Sequence, residues 1–183
     1  MRTKPVSQHN REISQNARSW EKKPLLRIVY GSFYREIAEA LNTTDGEGVL
    51  ELGSGIGAIK EILPHCTTSD IFENPWLDRV ENAYALNFPA DSLKGLVLFD
   101  VWHHLQYPGS ALKEFARVLR PGGRVAIFEP AMGLAGKLIY GMFHHEPLGL
   151  RLPIEWEPQP GMRPPLNYYA AQGFMVWQQC LWL

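Results

Sequence analysis

Apolar residues recur at Leu25, Leu26, Val29, Phe33, Ile37 and Leu41, a spacing of threes and fours that gathers them on one helical face. Pro24 stands where a first helical turn accepts it, so the pattern predicts a helix over residues 25–41 that packs on a sheet. Residues 42–48 carry turn chemistry. The period then shortens to Val49-Leu50-Glu51-Leu52, a strand that runs straight into glycines. Residues 58–63 predict the start of a helix and residues 67–72 a second strand, ended by Asn74-Pro75. Residues 95–101, GLVLFDV, are a continuous apolar run of the kind buried on both faces of a parallel sheet. A helix follows over 112–119, Gly122-Gly123 stops it, and RVAIF at 124–128 reads as another buried strand. Strand and helix alternate, which predicts a parallel α/β sheet.

The flanks are less periodic. Residues 1–23 form a polar N-terminal segment that predicts disorder or a loose helix, and residues 24–183 make up one domain. Within it, residues 131–165 gather Gly, Pro, His and Trp as an irregular insertion on the substrate side would. A helix at 166–172, a stop at Gly173 and a strand at 174–183 close the chain. Only a few residues separate the strand ending at Asp70 from the segment at 79–83. A parallel crossover ordinarily needs a dozen, so a turn at Asn74-Pro75-Trp76 replaces the helix and the third strand is short.

Composition narrows the class. With 45% hydrophobic and 20% charged residues, the 183-residue chain reads as an ordinary globular protein. Eighteen basic and nineteen acidic residues leave a net charge of -1, which provides no broad field for a nucleic-acid backbone. No apolar run approaches a membrane span, and the N-terminus lacks a secretory pattern. Cys66 and Cys180 have neither metal-ligand nor disulfide-framework spacing, which suits a reducing compartment and a cytoplasmic location.

The candidate chemistry begins at Glu51-Leu52-Gly53-Ser54-Gly55-Ile56-Gly57. Glycines after a strand let a ligand approach the backbone, and a following helix offers free N–H groups to a carboxylate or phosphate. Gly53, Gly55 and Ala58 also satisfy a dinucleotide fingerprint with Ala in its third place, so an NAD-dependent oxidoreductase shares this motif. The neighbouring segments distinguish the two. VLELGSGIG, Asp70 after the next strand, NAYALNFP, LFDVWHHL and FARVLRPGGRVAIFEP follow in order. Together they resemble the class I S-adenosylmethionine-dependent methyltransferases, especially the small-molecule group of the type 11 kind, over roughly residues 25–130.

That resemblance implies a Rossmann-like three-layer αβα sandwich with a mostly parallel sheet. It implies S-adenosylmethionine as cofactor and a small-molecule methyl acceptor as partner. Glu51 and the turn Gly53, Ser54, Gly55 and Gly57 would take the methionine part, and Asp70 the ribose hydroxyls. Asn82 and Ala83 stand where the family often has Asp-Ala beside adenine, and Trp76 would lie near the same ring. Asp100 matches the end of the fourth strand, beside the methyl-transfer zone, with Val101 and Trp102 as walls. His103 and His104 are candidates for the proton acceptor, against a pocket-shaping role. His144-His145-Glu146 reads as base, metal ligand or surface; three adjacent residues do not easily converge on one ion, so no metal site is expected. Tyr30 and Tyr34, about one helical turn apart, would cover the cofactor or pack in the core.

Relatives end with two further strands, the last antiparallel, whereas one plausible strand remains here. A sheet lacking that last antiparallel strand leaves an edge that invites a homodimer. The same shortness, with Asn82, keeps open a non-catalytic binding or assembly module on the same fold.

Overall fold

The computed structural model describes residues 6–129, 155–159 and 161, with side-chain surroundings from His9 onward. Two helices lead, α1 (Val6–Lys22) and α2 (Pro24–Leu41). Five strands follow: β1 (Val49–Leu52), β2 (Thr67–Asp70), β3 (Arg79–Val80), β4 (Leu93–Phe99) and β5 (Leu119–Phe128), with α3 (Pro108–Val118) between the last two. The sheet order is β3-β2-β1-β4-β5 and every pair is parallel. The order reverses direction between β1 and β4. At such a switch point the connections leave to opposite faces, and the carboxyl ends of the two strands flank a crevice.

Alternation along the strands builds both layers. Val49 and Val97 face α2, where they join Tyr34, Ile37, Leu41, Ile59 and Leu63. Leu50, Leu52, Leu96 and Leu98 point the other way and meet Ala111, Phe115 and Val118 of α3. Helices therefore cover both faces of a parallel sheet, the Rossmann-like α/β architecture expected from the strand and helix order.

Several expected boundaries are corrected. The polar leader is a regular helix from residue 6, with Ile13 buried. Only the second half of α2 has a buried apolar face, since Leu25 is 71% and Val29 39% exposed. The helix expected at 58–63 is a single 3₁₀ turn, Ala58–Glu61. Pro64 disfavours helical backbone at the residue before it, and β2 begins three residues later. Gly122-Gly123 does not stop α3, which ends at Val118. The glycines lie inside β5, where the pairing jumps from Leu93 opposite Leu119 to Gly95 opposite Arg124. A bulge absorbs the extra residues.

The replacement of the β2–β3 crossover helix by a turn is present as expected. Residues 71–78 make the whole connection. This suffices because β3 pairs through only two residues, Arg79 and Val80, opposite Ser69 and Asp70 at the end of β2. The expected elements at 166–172 and 174–183, the missing last strand, and the insertion except 155–159 and 161 lie outside the described residues.

Phe115 is 1% exposed at the centre of the α3 face. Phe115→Ala is expected to cost about 3–5 kcal/mol. Urea unfolding checks it, and a loss under about 1 kcal/mol would show that α3 does not carry that layer.

Candidate functional site

The crevice begins where β1 ends. Gly53, Gly55 and Gly57 all have positive φ, at 69°, 56° and 69°, so the turn alternates left-handed residues that side chains rarely permit. A methyl group of Val101, from the loop after β4, occupies the space a Gly53 β-carbon would need. The turn is stitched to β2 by two serines. The Ser54 hydroxyl donates to the Glu51 carbonyl at 3.1 Å and accepts from the Ser69 N–H at 3.0 Å, while the Ser69 hydroxyl donates to the same carbonyl at 2.8 Å. Asn74 of the β2–β3 loop donates to the Gly55 carbonyl at 3.2 Å and accepts from the Trp76 N–H. With only one 3₁₀ turn behind it, the glycine turn presents backbone rather than the dipole of a long helix, which corrects the expected helix N-terminus.

Glu51 is the unusual group. It is 1% exposed in the middle of the sheet, and its Oε2 has no hydrogen-bond partner among the described residues. Burial pushes its carboxyl up to about 7. The Ser54 and Tyr34 hydroxyls partly oppose that rise, and the nearby Asp70 charge adds to it. Tyr34 is itself buried, which drives its phenol far above the ordinary range. A buried carboxylate lacking a cation is costly. The site is therefore predisposed to a cationic group.

Asp70 closes β2 one strand over. Its Oδ1 accepts its own following N–H, from Ile71, at 2.7 Å, and its Oδ2 lies 3.5 Å from His9 Nε2 of α1. That carboxylate raises the His9 pKa, chiefly through their hydrogen bond. Asn82 is half-buried and bonded locally: its side-chain oxygen accepts from the Tyr84 N–H at 3.0 Å, and it bridges to Ala85. Ala83 packs beside the α3-side cluster. Trp76, 38% exposed, borders a hollow of about 360 Å³ with Gly57, Ala17 and Trp20.

Beyond β4, Asp100 adopts a left-handed φ of 59° with its side chain 56% exposed. Its N–H still donates to the Phe128 carbonyl at 2.8 Å, which keeps the loop at the sheet edge. Glu129, directly after β5, organises the residues of that loop. Its Oε1 accepts the N–H groups of Val101 and Trp102, at 3.0 and 2.6 Å, and its Oε2 lies 2.5 Å from His103 Nδ1. His103 is 2% exposed, whereas His104 is half-buried with its ring centre 4.0 Å away. Asp100, His103 and Glu129 bring ligand-type atoms within 4.8 Å of one another. The short His103–Glu129 contact is the hydrogen bond of an imidazole N–H held by a carboxylate.

Aromatic rings surround this end. Phe99 and Phe128, the last residues of β4 and β5, pack together at 5.1 Å, and Phe33 and Tyr30 of α2 lie against them. Tyr34 takes the core position. The structure thus places Glu51, Gly53, Ser54, Gly55, Gly57 and Asp70 along β1 and β2, and Asp100, His103 and His104 across the switch point. Asn82 and Ala83 follow β3. His144-His145-Glu146 lies outside the described residues. His9 and Glu129 carry no local sequence signal of a place at this site, although Glu129 stands near the end of the RVAIFEP run.

Residues 50–127 match the family model described as a methyltransferase domain. Among solved structures, one described as an S-adenosyl-L-methionine-dependent methyltransferase, from Methanococcus maripaludis, aligns with a TM-score of 0.56 at 16% identity. The alignment covers 69% of this chain and 65% of that one. A methyltransferase from Aquifex aeolicus aligns at 0.44 with 17% identity, covering 55% of this chain and 65% of that one. The [4+2]-cyclase SpnF aligns at 0.48 with 18% identity, over 57% and 47%. The chain thus spans just under two thirds of the first of these proteins. No curated protein sequence matches it. Residues 50–127 are thus similar to a methyltransferase domain, and the parallel sheet around them has the α/β fold of the Methanococcus maripaludis structure.

Proposed function

We propose that this chain binds S-adenosylmethionine at the carboxyl ends of β1 and β2 and transfers its methyl group to a small-molecule acceptor. The orphaned Glu51 Oε2 beside a glycine turn carries the reading. The methionine end of the cofactor brings an ammonium, which supplies the cation that a buried carboxylate lacks. It also brings a carboxylate suited to the backbone of Gly53, Ser54, Gly55 and Gly57. Asp70 has acceptor atoms for two ribose hydroxyls. Asn82 and Ala83 border the adenine, and Asp100 stands beside the methyl zone.

The cofactor supplies a methyl group on a sulfonium, already a good leaving group. The chain's work is orientation and exclusion of water. Val101 and Trp102, pinned through their N–H groups to Glu129, wall the methyl side. With Glu129 on Nδ1, a neutral His103 carries its lone pair on Nε2. Because His103 is buried, the half-buried His104 is the better placed to take the acceptor's proton first. The rings of Phe99, Phe128, Phe33 and Tyr30 favour an apolar, aromatic or lipid-like acceptor. Trp156 of the proposed acceptor segment is 46% exposed, and its backbone carbonyl accepts the Gly109 N–H at 2.8 Å. No helix among the described residues is long and apolar enough to cross a membrane.

Calorimetry of the full chain with S-adenosylmethionine, with NAD as control, tests the cofactor. Saturable binding of the first alone is expected, weakened about tenfold or more in Asp70→Ala. Binding of NAD alone would replace the reading with an oxidoreductase. Turnover on a panel of aromatic and lipid-like acceptors tests catalysis. Cofactor binding with none of these acceptors methylated would favour the binding-module reading.

Glu51→Gln separates stability from function. The Glu51 carboxyl titrates near 7 when folded, against an ordinary value of 4.5. The unfolded chain therefore loses that proton first as pH rises. Stability falls from about pH 4.5 to about 7 and stays low above, by a few kcal/mol at most. The glutamine variant is expected to melt higher than wild type at pH 8, to lose that pH slope, and to bind S-adenosylmethionine more weakly. Thermal scans from pH 5 to 8 with calorimetry check both. Equal or tighter binding by the variant would refute the ammonium role.

A further inference from the structure

The ribose-side carboxylate already has a partner within the chain. His9 of α1 reaches Asp70 Oδ2 at 3.5 Å, and its ring stands edge-on to Phe72 at 5.1 Å. One residue on, Asn10 donates to the Glu73 carbonyl at 3.2 Å. One turn further along α1, Ile13 is 8% exposed, with its Cδ1 only 3.8 Å from where a Gly55 β-carbon would stand. At the far end Trp20 donates to Glu61 at 3.0 Å. The helix therefore spans the crevice mouth from the Asp70 loop to the 3₁₀ turn. It is held by polar contacts at both ends and one apolar contact over the glycine turn.

These contacts fall on groups that the cofactor reading assigns to the ligand: Gly55 to the methionine part and Asp70 to the ribose. The imidazole on Oδ2 takes one of the acceptor positions that a ribose hydroxyl would use, so His9 and the ligand compete for that oxygen. We propose that α1 is a resident latch on the cofactor crevice, with His9 occupying the Asp70 carboxylate until the adenosyl compound displaces it. This rests on the cofactor assignment above and adds a control to it. The competent state is the one in which the latch is open, so apparent affinity is reduced by the fraction closed.

The latch is charge-assisted, which gives it a direction with pH. Asp70 raises the His9 pKa through their hydrogen bond and its charge. Asn10 and the Glu12 carboxylate of α1 act in the same sense, and partial burial opposes them. Protonated His9 holds Asp70 best, so the closed state is favoured in acid and loosens as pH rises through the raised value. Glu51 also titrates near the crevice, and its ionisation favours a bound ammonium in the same pH range. Wild type alone therefore does not isolate the latch, and the comparison with a His9 variant does.

The experiment is calorimetry of the full chain with S-adenosylhomocysteine, for wild type and His9→Ala, from pH 5.5 to 8.5. Hydrogen exchange over residues 9–20 is followed with and without ligand. The variant is expected to bind about tenfold more tightly than wild type at pH 5.5 and within about twofold at pH 8.5. Exchange in α1 of the wild type is expected to rise on ligand binding. Ile13→Gly gives a second opening variant that leaves His9 in place, and it should also tighten binding. If neither wild type nor variants bind, the cofactor reading falls and the latch with it. Equal affinities and parallel pH profiles would remove the latch and leave the cofactor reading intact. Weaker binding by His9→Ala, with α1 protected by ligand, would make His9 a part of the binding site and overturn the proposal.

Discussion

One buried carboxylate sets the terms for this site. Glu51 sits at the centre of a parallel sheet, 1% exposed, with an oxygen that finds no donor among the described residues. Sheet interiors built from Val and Leu do not ordinarily tolerate that, because desolvating a charge without a partner costs several kcal/mol. Here the carboxyl responds by holding its proton up to about pH 7. The fold accepts an unsatisfied position that a cationic ligand would relieve. Around it, Ser54 and Ser69 lock the following turn to β2, so the bare glycine backbone stays aligned with that carboxyl.

The topology explains why the remaining groups converge. Connections from β1 and β4 depart to opposite faces, which leaves a crevice between their carboxyl ends. Glu51 and the glycines come from one side of that gap, and Asp100, Val101 and His103 from the other. Glu129 ties the second group together from β5, with one carboxylate oxygen on two backbone N–H groups and the other on an imidazole. The aromatic rings at the ends of β4 and β5 complete an apolar wall. Positive backbone φ at Asp100 is the local cost of turning the chain so tightly there.

Much of this was legible from residue order. The periods of two and near four located β1, β4 and α2, and the glycine spacing located the turn. The short gap after Asp70 foretold a crossover without a helix. What escaped had long-range causes. His9 lies in a polar leader whose helix is anchored through Ile13 and Trp20 onto residues more than forty positions away, and no local period reports such contacts. Glu129 looked like the end of a strand, because its role depends on the neighbouring strand's loop. The Gly122-Gly123 pair signalled a stop, yet the bulge it forms depends on the register of β4. The 3₁₀ turn after the glycines was readable in principle from Pro64 and the short distance to β2.

Proton release on ligand binding tests the central claim most directly. Calorimetric titration of S-adenosylmethionine near pH 7, repeated in buffers of differing ionisation enthalpy, counts protons lost by the protein. If a cation settles against Glu51, the carboxyl is driven to its charged form and a fraction of a proton per site leaves. Binding heats that do not vary with buffer, or the absence of any binding heat, would contradict the account.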